Sequence, residues 1–144
     1  MMRGRGRALA GWLLPTLAAL LIAGCAPAAA EREPVRYRRT GGLAGATVEL
    51  TIDVDGRAVL VEDGRTTEFT VAPERLDALY AALEGLDWAA LTPPPAGGPG
   101  RDLFSYEVAY GGHTATARDT QVAPDLVPVL EALNDILAAR TKQA

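Results

Sequence analysis

Ser105 and His113 are the residues whose types first suggest chemistry, since they are the only serine and the only histidine of the sequence. They lie on two neighbouring predicted strands and could face each other across a hairpin. A serine nucleophile also needs a histidine base oriented by a third group, and often a tight turn at the nucleophile. No such motif surrounds Ser105, so the sequence predicts a protein without catalytic residues.

Metal-binding residue types are equally sparse. A zinc site takes three or four histidine, cysteine or carboxylate ligands, and the chain has one histidine and one cysteine. The run Asp53-Val54-Asp55-Gly56 begins like a calcium-binding loop, but Arg57 stands where an oxygen ligand is needed. We therefore expect a hairpin turn there, and neither a metal ion nor a cofactor.

The stretch RTGGLAG, residues 39–45, combines three glycines with one large apolar side chain, Leu43. A phosphate-binding loop is followed by a helix whose N-terminus faces the anion, and often by a lysine. Here the run from Ala46 to Glu49 reads as a strand, and no lysine is near. We interpret the stretch as a crossover between strands, whose glycines allow a close backbone approach. Leu43 then either caps the core or is presented to a partner.

The elements around this loop follow from the periodicity of apolar residues. Alternation with a period of two predicts six strands. The first begins at residue 35, and the other five cover residues 47–54, 57–62, 67–71, 104–110 and 113–118. Asp55-Gly56 predicts a hairpin with a type I′ turn, and Asp63-Gly64 repeats the signal. The first four strands therefore form a meander.

Two helices complete the pattern. Pro73 suits a first helical turn, Gly85 ends the helix, and an apolar stripe lies between them at Leu76, Leu79, Tyr80 and Leu83. The second helix is expected to begin at residues 125–127, with Pro128 in its first turn. The order ββββαββα predicts an α+β domain, a mostly antiparallel sheet of about six strands with two helices on one face.

The N-terminus has the layout of an export signal. Arg3, Arg5 and Arg7 precede an apolar run, residues 8–24, that is short for a membrane span. The sequence LIAGC, which ends at Cys25, resembles the lipobox of bacterial lipoproteins, in which the cysteine is lipidated and the chain is cut before it. This resemblance implies a signal peptide at residues 1–24, lipidation of Cys25, a tether at residues 25–34, and attachment to the cell membrane on the outside. The alternative is an ordinary signal or membrane anchor with an unrelated cysteine.

Net charge limits the partners. Without the three arginines of the signal, 11 basic residues remain against 18 acidic ones, a net charge of about −7. Such a chain is a poor binder of nucleic acid. Arg36, Arg38 and Arg39 follow the tether and either face anionic headgroups or form the solvated side of the first strand.

Several motifs together resemble the emfourin family, small bacterial proteins that inhibit thermolysin-like metalloproteases. They are the aromatic strand at Tyr37, the loop at residues 41–45, the strand that ends in IDVDG (52–56), DLFSY (102–106) and PDLVPVL (124–130). The similarity spans residues 35–137. It implies an inhibitor domain at residues 35–140 that lacks catalytic groups and binds an M4-type metalloprotease.

The candidate protease-binding loop is Gly41, Gly42, Leu43, Ala44 and Gly45. Thermolysin-like enzymes, as a class, accept a large apolar side chain just after the scissile bond, and Leu43 is such a side chain between small neighbours. Family members are often cytoplasmic or fused to other domains, so a lipid anchor leaves the target open. The alternative is an envelope lipoprotein that does not inhibit and binds another protein or a small ligand.

Overall fold

A computed structural model describes residues 31–94 and 102–140. The predicted signal peptide, Cys25, the first part of the tether and most of the Pro/Gly loop after Thr92 lie outside the described residues, so these predictions stay predictions. Among the residues described, no helix has the length and apolar character needed to cross a membrane.

Six strands form one antiparallel sheet, as the alternation predicts. In chain order they are β1 (Val35–Gly41), β2 (Ala46–Ile52), β3 (Arg57–Glu62), β4 (Arg65–Thr70), β5 (Phe104–Tyr110) and β6 (His113–Arg118). Their order in the sheet is β4-β3-β2-β1-β5-β6. The meander of the first four strands therefore lies on one side of β1, and the β5–β6 hairpin pairs with the other side of β1.

Two helices, α1 (Pro73–Glu84) and α2 (Val127–Arg140), pack on one face of this sheet. The apolar stripe of α1 is buried there together with Leu126, Val129, Leu130, Leu133 and Ile136 of the second helical segment. The opposite face, which we call the open face, carries mainly Thr, Arg and Glu side chains. The α+β class and the ββββαββα order are thus confirmed.

Pro73 and Pro128 lie in the first turns of the two helices, where a missing N–H costs no helical hydrogen bond. Pro73 is the first residue of α1. A single 3₁₀ turn, Pro124–Leu126, precedes α2, and Pro128 is the second residue of that helix. The predicted start of the second helix is therefore confirmed.

Three details differ from the predictions. β2 ends at Ile52, so Val54 lies in the following turn and is 48% exposed instead of facing the core. β4 begins at Arg65 and ends at Thr70, earlier than predicted at both ends. The β2–β3 turn is not type I′, because only one of its two central residues has a positive φ. Gly56 has a positive φ, whereas Asp55 does not: Asp63 is the only described non-glycine residue with a positive φ.

The hydrogen bonds explain the difference in turn type. In the β2–β3 turn, the Gly56 N–H donates to Asp53 O and the Asp53 N–H donates to Arg57 O, which closes a three-residue loop with one left-handed glycine. The Asp63-Gly64 turn has φ values of 49° and 77°, both positive as a type I′ turn requires. The same dipeptide thus forms two different turns.

Candidate functional site

The glycine-rich stretch, residues 41–45, is a β-hairpin loop and not a crossover, since it joins adjacent strands. Gly41 pairs with Ala46 in the β1–β2 register. The Gly45 N–H donates to Gly42 O at 3.0 Å, which closes the turn. We call residues 41–45 the candidate binding loop, or binding loop for short, and the end of the sheet that carries it the loop end.

Two of the glycines are needed for contact with the start of β5. A Cβ on Gly41 would lie 2.2 Å from the Leu103 carbonyl oxygen, and one on Gly42 would lie 2.9 Å from the Phe104 ring. Their φ values, 123° and 75°, also disfavour other residues. The close approach predicted for these glycines is therefore to the chain itself: the Gly42 N–H also donates to Leu103 O at 3.3 Å.

Leu43 lies at the tip of the loop and is 90% exposed, so the interpretation that it caps the core is wrong. Single exposed apolar side chains are common and do not by themselves mark a site. What sets Leu43 apart is its support: its preceding residue is hydrogen-bonded to Leu103 and packed on Phe104. A loop whose backbone is held in this way loses little backbone freedom on binding.

A carboxylate, Asp119, holds the strand ends beneath the loop together. Its Oδ2 accepts the Phe104 N–H at 2.9 Å, and its Oδ1 accepts a short hydrogen bond from the Tyr106 hydroxyl. The Asp119 N–H in turn donates to Phe104 O at 3.1 Å. Burial, reinforced by the bond to Asp119, raises the pKa of Tyr106 well above its ordinary value.

Arg39 lies beside this network, on the face of the sheet that carries the helices. In register it pairs with Val48 of β2 and Tyr106 of β5, and its guanidinium lies 5.1 Å from the centre of the Phe104 ring. The Phe104 ring therefore lies near both Gly42 and the guanidinium of Arg39.

Sequence reasoning missed the network of Arg39, Phe104, Tyr106 and Asp119. One signal could have revealed it: in β1 the inward positions are Val35, Tyr37 and then Arg39, so a charged residue continues an apolar alternation. A charged side chain on an inward position requires a local explanation.

The structure does not bring Ser105 and His113 together, so the possible pairing across the hairpin is wrong. Ser105 pairs with Arg118, whereas His113 pairs with Tyr110 at the opposite end of the strands. The His113 ring stacks on Trp88, with ring centres 5.4 Å apart.

Ser105 itself lies on the open face. It borders a shallow polar depression of about 400 Å³ whose lining includes Arg38, Thr40, Glu107, Thr116 and Pro94. Arg38 already forms an ion pair with Glu49, at 3.3 Å.

Asp55 uses its carboxylate within the β2–β3 turn, where a calcium-binding loop was the alternative. Its Oδ2 accepts a hydrogen bond from Arg57 Nε at 2.9 Å, and its Oδ1 accepts one from the Arg57 backbone N–H. These bonds from Arg57 hold the pKa of Asp55 below its ordinary value. In the described parts of the chain, no cluster of three or more potential metal ligands occurs.

No protein-family model matches the sequence, and no curated protein matches it significantly.

Proposed function

We propose that this chain is a lipid-anchored protein of the cell envelope that binds, and thereby inhibits, a thermolysin-like metalloprotease through the binding loop. The observation that carries the proposal is the exposure of Leu43 on a loop whose backbone is fixed against β5. The resemblance to emfourins supplies the class of partner.

The geometry suits insertion into a narrow cleft. Leu43 is followed by Ala44 and preceded by Gly42, so no other large side chain at the tip obstructs approach. Burial of a leucine side chain in an apolar pocket contributes about 1.5–3 kcal/mol. Because the loop is already ordered, little of that gain is lost to ordering. Inhibition follows when the loop fills the substrate pocket without being cleaved.

The domain needed for binding is contained in the mature chain. From Glu31 onward the chain forms a compact unit of its own, and the buried apolar residues described extend only from Val35 to Ile136. A soluble form that begins at Ala26, without the signal and Cys25, therefore retains the whole sheet and both helices.

Titration of thermolysin-type metalloproteases with this soluble form tests the proposal. The wild-type chain is expected to inhibit, and Leu43→Asp is expected to abolish inhibition because it places a charge in an apolar pocket. Val54→Asp is the matched control, since Val54 is also an exposed apolar residue in a hairpin turn but lies at the other end of the sheet. Equal inhibition by Leu43→Asp and wild type would exclude the loop as the inhibitory element.

The anchor needs a separate test. The protein purified from membranes is expected to begin at Cys25 and to carry a diacylglyceryl group, visible as a mass increase on the N-terminal peptide. Cys25→Ala should remove both the added mass and the membrane association. An unmodified Cys25 in the membrane fraction would contradict lipidation without affecting the test of the loop.

A further inference from the structure

One buried side-chain atom in the described residues has no hydrogen-bond partner, and it is Nε of Arg39. Nearly all buried polar atoms in native proteins are hydrogen-bonded, so an exception requires an explanation. The position of this exception, at the loop end of β1, links it to the binding loop and not to the interior of the domain.

The nearby carboxylate of Asp119 bonds other groups. One of its oxygens accepts the Phe104 N–H and the other accepts the Tyr106 hydroxyl. Within residues 31–94 and 102–140, Arg39 forms no ion pair, whereas Arg32, Arg38, Arg57 and Arg140 each have an acidic partner. Arg39 therefore keeps a half-buried positive charge that forms no ion pair within the described part of the domain.

Arg39 and Leu43 are connected through a single aromatic ring. The guanidinium of Arg39 lies 5.1 Å from the centre of the Phe104 ring, and the same ring lies against Gly42, the residue before Leu43. A protein that covers Leu43 from this side also covers Phe104 and approaches Arg39. The three side chains then form one surface: an exposed aliphatic tip, a half-buried ring and a half-buried cation.

We propose that Arg39 belongs to the same binding surface as Leu43 and pairs with a carboxylate of the partner. This inference rests on the proposed function and specifies its partner further: the protease carries an acidic side chain beside the apolar pocket that receives Leu43. The guanidinium is already partly desolvated, so pairing with a carboxylate strengthens as the interface excludes water. A close charge pair of this kind also steers association and makes it dependent on salt.

The test compares soluble Arg39→Gln with Arg36→Gln, both in the chain that begins at Ala26. Arg36 is the matched control because it lies on the same strand and loses the same charge, but it is exposed on the open face. Binding to a thermolysin-type protease is measured at low and high ionic strength. We expect Arg39→Gln to weaken binding at low ionic strength by about 10-fold to 100-fold and to flatten the salt dependence, while Arg36→Gln does neither.

Arg39→Lys separates charge from shape. It is expected to keep the salt dependence and to recover part of the affinity, since the positive charge remains while the planar guanidinium is lost. Thermal unfolding supplies a further readout: Arg39→Gln removes a buried donor that has no partner but also loses the contact with Phe104, so the melting temperature should change little.

Three outcomes would overturn the inference. Equal binding by Arg39→Gln and Arg36→Gln would show that Arg39 is not part of the binding surface. Weakened binding with an unchanged salt dependence would show that Arg39 acts only by packing on Phe104. A wild-type chain that binds no such protease would overturn the proposed function and this inference with it, an outcome distinct from wild-type binding that is insensitive to Arg39.

Discussion

The ring of Phe104 lies directly against Gly42, so close that a Cβ on this glycine would be 2.9 Å from the ring carbon Cζ. This contact joins the turn of the β1–β2 hairpin to the first residue of β5, which is 62 positions later in the sequence. The loop that exposes Leu43 is therefore fixed by tertiary packing as well as by its own turn. A loop that is already ordered loses less conformational freedom when it binds, which supports the proposed role of Leu43.

The three glycines of the loop should differ in their tolerance of alanine. At Gly41 an added Cβ would lie 2.2 Å from a backbone oxygen at a φ of 123°, and we expect Gly41→Ala to lower the free energy of unfolding by about 3 kcal/mol or more. At Gly45 the φ is 62° but nothing lies within 4 Å of the added Cβ. Gly45→Ala should therefore cost only about 1 kcal/mol. Chemical denaturation measures both, and equal losses would show that the contact with β5 does not constrain the loop.

Tyr106 should couple stability to alkaline pH. Burial and the bond to Asp119 raise its folded-state pKa above the ordinary value near 10. Its stabilising contribution is therefore complete below about pH 10 and is lost as the pH rises through the higher folded pKa. Tyr106→Phe should lower the free energy of unfolding by about 1 kcal/mol at neutral pH.

The difference between wild type and Tyr106→Phe isolates this residue, because Tyr37, Tyr80 and Tyr110 also have raised pKa values and remain in both proteins. Urea denaturation of the two proteins from neutral pH to above pH 10 should show the gap between them closing as the pH rises. A gap that stays constant across this range would contradict a raised pKa at Tyr106.

The sequence allowed the fold class to be predicted because the apolar alternation is nearly complete. Val48, Leu50 and Ile52 of β2 all face the core as expected. The alternation failed at Val54, because it does not show where a turn closes: the Asp53 N–H bonds to Arg57 O and ends the strand pair. Periodicity thus predicts faces better than it predicts ends.

The register of β5 and β6 could have been predicted and was not. A two-residue Gly111-Gly112 turn requires Tyr110 to face His113, and simple counting then places Ser105 opposite Arg118. By contrast, the pairing of β5 with β1 joins residues far apart in the chain, and no local pattern specifies it. The network of Arg39, Phe104 and Asp119 depends on that pairing, which is why the sequence did not reveal it.

Ile52 and Val54 provide a direct test of where β2 ends. Ile52 is fully buried, and Ile52→Ala should lower the free energy of unfolding by about 2–5 kcal/mol through lost burial and a cavity. Val54 is 48% exposed in the turn, so Val54→Ala should change stability by no more than about 0.5 kcal/mol. Comparable losses of unfolding free energy for the two variants, in thermal or chemical unfolding, would show that Val54 is buried in the core.

The last residues of the tether are held on α1 by an aromatic and ionic contact. The Arg32 guanidinium donates to Asp77 at 2.8 Å and lies 4.6 Å from the centre of the Tyr80 ring, while the Tyr80 hydroxyl donates to the Glu33 carbonyl oxygen at 2.9 Å. The chain between Cys25 and Arg32 then spans at most about 20–25 Å when extended. If Cys25 is lipidated, this contact keeps the domain close to the membrane.

Two substitutions should release this segment to different extents. Tyr80→Phe loses the bond to Glu33 and should cost about 1 kcal/mol of global stability, since the rest of the buried ring is retained. Arg32→Ala should leave global stability nearly unchanged, because its ion pair is solvent-exposed. Backbone ¹⁵N relaxation decides the point: both variants should raise the mobility of residues 31–33, while β2 and β3 stay rigid in Arg32→Ala. If residues 31–33 are equally mobile in wild type and Arg32→Ala, the contact does not hold the tether in solution.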